Sequence, residues 1–184
     1  MASQTRIQIP NELFAPAESL HFEGVLDLGE LQAGPDPYSF LAPITWSAEI
    51  SNVGDALLVT GFAQGSARTL CSRCLVDTDY ELFGELEGYF IIEKESGAPS
   101  DMEADEFEYL GDDSIIDMEP IIIAALLMDV PMQPLCSDDC KGLCPVCGCN
   151  LNTETCSCTA LGDDQPVAAD NPFSVLSDYR FDED

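Results

Sequence analysis

Hydrophobic and polar residues alternate at period two through much of the first half of the chain. In "ITWSAEISNV", Ile44, Trp46, Ala48 and Ile50 fall on one side, the pattern of a half-buried strand. "RIQIP" (Arg6 to Pro10) and "FEGVLDL" (Phe22 to Leu28) alternate in the same way. "ALLVTGFAQG" follows a turn at Gly54 and Asp55. "ARTLCSRCLVDTDYELF" reads as two strands around a tight "CSRC" turn, and "ELEGYFII" (Glu85 to Ile92) closes the run. Short strands with frequent turns predict an antiparallel meander or small barrel. The stretch from Gly29 to Pro43 carries three prolines and reads as a loop.

The period changes at "DMEPIIIAALLMDVP", which predicts one helix over about residues 115–129. Asp117 is suited to cap its N-terminus, and Glu119 stands in the first turn, where the helix dipole favours an anion. Pro120 is tolerable in that first turn, and Pro131 helps to end the helix. The apolar run Ile121 to Met128 covers nearly every face, so the helix is expected to be buried against the sheet. The fold class expected is therefore α+β: an antiparallel meander or small barrel packed on one buried helix, with a cysteine-rich C-terminal segment. Three parts are expected along the chain. They are a β-rich domain over 1–135, a cysteine-rich segment over 136–160, and a linker with a short tail helix over 161–184, where Asn171 and Pro172 form a helix start.

Charge narrows the function classes. There are 35 acidic residues against 6 basic ones, for a net charge of −29. Nucleic-acid affinity comes largely from Lys and Arg neutralising phosphates, so direct RNA binding is disfavoured. A basic protein partner suits the charge better. Between Glu95 and Asp113 lie eight acidic residues and no basic one, with Phe107, Tyr109 and Leu110 as apolar anchors; the segment reads as a solvated loop. No stretch is long and apolar enough for a membrane span, and "MASQTRIQIPNELF" does not read as a signal peptide, so a cytoplasmic protein is expected.

Seven of the nine cysteines fall between Cys136 and Cys158. In a cytoplasmic protein thiols stay reduced, and an odd count forbids full disulfide pairing. Eight of the nine form close pairs: Cys71 with Cys74, Cys136 with Cys140, Cys144 with Cys147, and Cys156 with Cys158. Four such pairs suit two tetrahedral four-thiolate zinc sites. In "CPVCG", Pro145 fixes one φ and Gly148 permits a positive φ just after the second thiol, as a metal knuckle requires. Two groupings are open. One takes Cys136, Cys140, Cys144 and Cys147 together. The other, preferred because it makes a self-contained local site, joins Cys144 and Cys147 to Cys156 and Cys158, and returns Cys136 and Cys140 to Cys71 and Cys74. Cys149 is the ninth thiol, packed beside a site or replacing a ligand.

Cys144-Pro-Val-Cys147 has the spacing of a redox dithiol, but no helix signal follows it to depress a thiol pKa. Of the few basic residues, Arg68, Arg73 and Lys141 lie in or beside the cysteine motifs, and Arg73 is expected to donate N–H groups to sulfur. His21 stands alone in a strand-like stretch. Sites filled by four protein ligands leave no open position for a catalytic water, so no enzyme is expected.

The segments "CSRCL", "DVPMQPLCSDDCKGLCPVCGCNLN" and "CSC", with "NPFSVL" near the end, make the chain resemble the YceD family, the large ribosomal RNA subunit accumulation proteins. The resemblance implies a role in 23S ribosomal RNA accumulation and assembly of the large subunit, with no defined catalytic residues. Set beside the charge, it points to action through a basic ribosomal protein or large-subunit assembly factor. The competing class is a zinc-dependent redox sensor or chaperone; an RNA-processing enzyme finds no support in the residues.

Overall fold

The computed structural model describes residues 5–92, 102–103 and 106–158. The expected tail helix at Asn171 and Pro172 lies outside them. Contacts divide the chain into two compact units, Met1–Cys140 and Lys141–Asp184. The first unit holds the sheet and the helix, and the second holds the later cysteines.

The sheet of the first unit is built on two long strands, β6 (Ala56–Leu70) and β7 (Asp77–Ile91), paired antiparallel along their whole length. β5 (Ile44–Asn52) pairs with β6 and carries the alternation on which the strand was predicted: Ile44, Trp46, Ala48 and Ile50 are all buried. β2 (Ser19–Leu26) pairs with β5. β3 (Glu30–Ala33) and β4 (Asp36–Phe40) form a hairpin that joins the far end of β6. A loop was expected there from its prolines. Gly34, at φ 59°, makes the turn, and Pro37 sits in β4 opposite Gln32. Among the described residues, β7 has only the two-residue β8 (Glu108–Tyr109) on its outer side. A separate pair joins β1 (Arg6–Gln8) to β9 (Ile115–Asp117).

Helix α1 runs Met118–Asp129. It starts later than expected because residues 115–117 pair with β1. The Asp117 side chain accepts the Glu119 backbone N–H at 3.1 Å, the predicted cap. Met118, Ile122, Ala125 and Leu126 are buried, whereas Met128 is 88% exposed. Burial is thus confined to one face, although the sequence is apolar all round. The approach of α1 to β7 depends on a glycine: a Cβ on Gly84 would lie 2.6 Å from the carbonyl carbon of Ala125. No helix among the described residues is long and apolar enough to cross a membrane.

Candidate metal centres

The turn between β6 and β7 is a knuckle. Leu75 donates its N–H to the Cys71 carbonyl at 2.9 Å, and Cys71 donates to Val76 at 2.9 Å. Leu75 takes φ 59°, a region that a side chain disfavours. The turn in the second unit repeats this geometry: Gly148 donates to the Cys144 carbonyl at 2.9 Å, with φ 74°. The glycine was legible as a knuckle residue from the sequence, but its counterpart Leu75 was not.

The partner thiols of the first knuckle arrive 62 to 69 residues later. The segment that carries them leaves α1 and is tied to the sheet. The Tyr80 hydroxyl donates to the Leu135 carbonyl at 2.8 Å and accepts the Leu135 N–H at 2.7 Å. Ser72 donates its N–H to Pro134 at 2.8 Å, and Arg73 donates from its guanidinium to the Cys140 carbonyl at 3.0 Å. These bonds deliver Cys136 and Cys140 to Cys71 and Cys74. The sulfurs of Cys71 and Cys140 stand 3.8 Å apart, and those of Cys74 and Cys136 stand 3.5 Å apart. All four lie within 4.8 Å of one another. Cys71, Cys74 and Cys140 are buried, and Cys136 is exposed.

In the second unit, an isolated bridge between Leu143 and Asn150 closes the knuckle, with Cys144 donating its N–H to Cys149 at 2.8 Å. The sulfur of Cys156 is 3.6 Å from that of Cys147 and 3.3 Å from that of Cys144. The four sulfurs that lie within 4.8 Å of one another are those of Cys144, Cys147, Cys149 and Cys156. Cys158, expected from the sequence as the fourth ligand, stands outside that group. The positive φ of Gly148 reverses the chain, and the turn it makes brings Cys149 back toward the knuckle. Cys158 stays close, with its N–H on the Cys156 sulfur at 3.3 Å. Five thiols therefore surround a site for four. The Arg73 guanidinium meets a carbonyl while its backbone N–H acts on the Cys71 sulfur, and Arg68 is held by Asp79 through paired bonds of 2.6 and 2.9 Å.

These distances test what the clusters hold. A disulfide places sulfurs about 2.05 Å apart, so the contacts of 3.3–3.8 Å are not disulfides, and all nine cysteines are free. Zinc–thiolate bonds of about 2.3 Å arranged as a tetrahedron put neighbouring sulfurs about 3.8 Å apart. Both clusters are near that size, and the donor set is the soft one that zinc accepts, so the residues fit the ion.

The electrostatics agree. Burial pushes the Cys71 thiol up, but the backbone N–H groups of Cys74, Arg73 and Cys136 outweigh burial and bring it down to about 6. The backbone N–H groups of Cys147 and Val146 bring Cys144 down to about 6. The neighbouring Cys74, then Cys140, push Cys136 up to about 12, and Cys147 does the same to Cys149. Cys158 is also pushed up to about 12, first by Cys156 and then by Cys147. The first cluster thus stabilises one thiolate, at Cys71, and resists a second; in the second cluster the backbone N–H of Cys149 brings Cys147 down as well, and the resistance falls on Cys149 and Cys158. A divalent cation removes that resistance, because a metal-bound thiol is deprotonated outright.

Residues 59–179 match the family described as large ribosomal RNA subunit accumulation protein YceD. An uncharacterized protein of Mycobacterium tuberculosis is 33% identical over 57% of this chain and 50% of its own length. An uncharacterized protein of Mycobacterium leprae is 31% identical over 61% of this chain and 51% of its own. The chain thus spans about half the length of these mycobacterial relatives. YlbN of Bacillus subtilis, likewise uncharacterized, is 27% identical over 71% of this chain and 73% of its own. No solved structure matches the chain.

Proposed function

The chain belongs to the YceD family of large ribosomal RNA subunit accumulation proteins, and from that premise we propose that it is a non-catalytic zinc-binding factor. In this reading it supports 23S RNA accumulation and large-subunit assembly by binding a basic protein partner. The observation that carries the reading is the pair of four-sulfur clusters, near the size of a zinc tetrahedron and supplied wholly by this chain. A zinc ion with four protein ligands has no open position, which suits a structural role and not a hydrolytic one. The net charge of −29 favours a basic protein over a phosphate backbone. Within the acidic segment, Phe107 and Tyr109 meet edge to face at 5.7 Å, and Tyr109 is 44% exposed. Asp105, in the same segment, lies outside the described residues.

The test is depletion of the protein in its host, with 23S RNA measured against 16S RNA. Loss of 23S RNA is expected, restored by the wild-type chain and not by a Cys71→Ser, Cys140→Ser chain. Unchanged 23S RNA on depletion overturns the reading. Tight binding of purified protein to free 23S RNA at physiological salt overturns the protein-partner mechanism.

A second reading, a zinc-dependent redox sensor or chaperone, draws support from the fifth thiol at the second cluster. Thiol titration with and without a zinc chelator separates the two. A structural site holds its thiols unreactive until the metal is removed.

A further inference from the structure

The C-terminal end of α1 lacks the cation that usually stands there. A helix ends in the negative pole of its dipole, which Lys, Arg or His commonly offsets. The last turn of α1 has no basic residue and ends in Asp129. The Asp129 carboxylate accepts the Phe83 backbone N–H at 2.8 Å, so it is held against the edge of β7 at a point where, among the described residues, no strand pairs. Between helix and strand runs a groove lined by Phe83, Glu85, Glu87, Met128 and Asp129. Among the described residues no Lys, Arg or His lines it.

The groove is apolar as well as acidic. Met128 is 88% exposed and Phe83 is 50% exposed. The Phe83 ring stacks on Phe62 of β6, with centroids 5.6 Å apart and planes within 18°, so the apolar surface extends onto the outer face of the sheet. Exposed methionine and aromatic side chains adapt to varied apolar partners. Charge selects among the candidates. A second copy of this chain would bring its own excess of carboxylates against the three in the groove. RNA would bring phosphates against them. A cationic segment with apolar residues satisfies both features.

We propose that this groove docks a Lys/Arg-rich segment of a protein partner, with its cations on Glu85, Glu87 and Asp129 and an apolar side chain on Met128 and Phe83. The proposal rests on the basic-partner reading and says where that partner sits: beside β7 and α1 rather than on the Glu95–Asp113 segment.

The test uses the full zinc-loaded chain and a fluorescent dodecapeptide alternating Arg and Leu, read by anisotropy, with the Glu/Leu peptide as control. Two variants matched in charge are compared: Glu85→Gln, Glu87→Gln in the groove, and Glu106→Gln, Glu108→Gln in the acidic segment. Zinc content and circular dichroism confirm that each is folded. The groove pair is expected to weaken the Arg/Leu probe about tenfold, the sum of two solvent-exposed charge pairs, and the segment pair less than twofold. Met128→Ser, at a position too exposed to affect folding, is expected to weaken it about threefold through the apolar contact. If the wild-type chain binds the probe and the groove variants bind it equally well, the groove is the wrong place while the basic-partner reading stands. If the wild-type chain ignores the Arg/Leu probe, or binds the Glu/Leu peptide as tightly, both the groove and the basic-partner reading fail.

Discussion

Replacing Cys140 with serine removes one corner of the cluster that ties the segment after α1 to the β6–β7 turn. The cost follows from how much chain the clip closes. Sulfur contacts in the first cluster join residues 69 and 62 apart, and in the second residues 9 and 12 apart. Closure entropy grows as (3/2)RT ln n, so a clip spanning 69 residues restricts the unfolded chain more than one spanning 12, by about 1.5 kcal/mol. For a chain of this size that is roughly 3–6 °C in melting temperature. Trp46, the single tryptophan, is buried in the sheet and reports unfolding of the first unit. Urea or thermal unfolding followed by its fluorescence should show Cys140→Ser less stable than Cys156→Ser by at least that margin. Cys156→Ser should leave the Trp46 transition nearly in place, since its cluster lies within the second unit. Equal losses in the two variants would refute the reasoning, because the loops they open differ more than fivefold in length.

Elemental analysis of purified protein should find about two zinc ions per chain, with most thiols unreactive until a chelator is added; a metal-free protein with all nine thiols reactive contradicts it. Tyr80→Phe leaves the Leu135 N–H and carbonyl without their partner, at a cost of about 1–3 kcal/mol, and should speed zinc transfer to a chelator. Gly84→Val forces side-chain atoms into the Ala125 backbone and should cost about 1–3 kcal/mol in the same unfolding assay. Zinc binding should release protons at pH 7.5, because Cys136 and Cys149, pushed up to about 12, are protonated in the metal-free chain and must ionise to coordinate. Apparent affinity should then weaken as pH falls. Calorimetry in two buffers of different ionisation enthalpy measures this, and a titration with no proton release rules it out.

Period-two alternation located β5 and the even residues that face its core, because burial on one face leaves that signature. It did not reveal that β6 runs unbroken to Leu70. Gly65 reads as a strand end in the sequence, but β6 passes straight through it and Gly61; a Cβ on Gly61 would collide with the Ser47 carbonyl, and one on Gly65 would press on the Ile44 and Phe40 side chains at 3.0–3.3 Å. The β3–β4 hairpin was hidden for a related reason: Pro37 reads as a strand breaker, yet β4 pairs with β6 only through Ser39 and Phe40 and never needs a donor from residue 37. The four close cysteine pairs were visible from spacing alone. The choice between Cys149 and Cys158 was not, since it depends on how far Gly148 turns the backbone. Nor was Tyr80, whose role exists only because the chain returns 55 residues later to meet it.

The separation of the first cluster's two halves also sets an order of events. During synthesis Cys71 and Cys74 emerge long before Cys140. At roughly 5–20 residues per second the interval is on the order of 3–13 s. The β6–β7 hairpin, complete at Ile91, can pair within that time. A nascent chain thus holds a finished hairpin with a half-built site at its tip, two reduced thiols waiting for two more. An ion held by all four thiols can be captured only after Cys140 has emerged, so a chain stopped before it carries the β6–β7 hairpin without the complete four-thiol cluster.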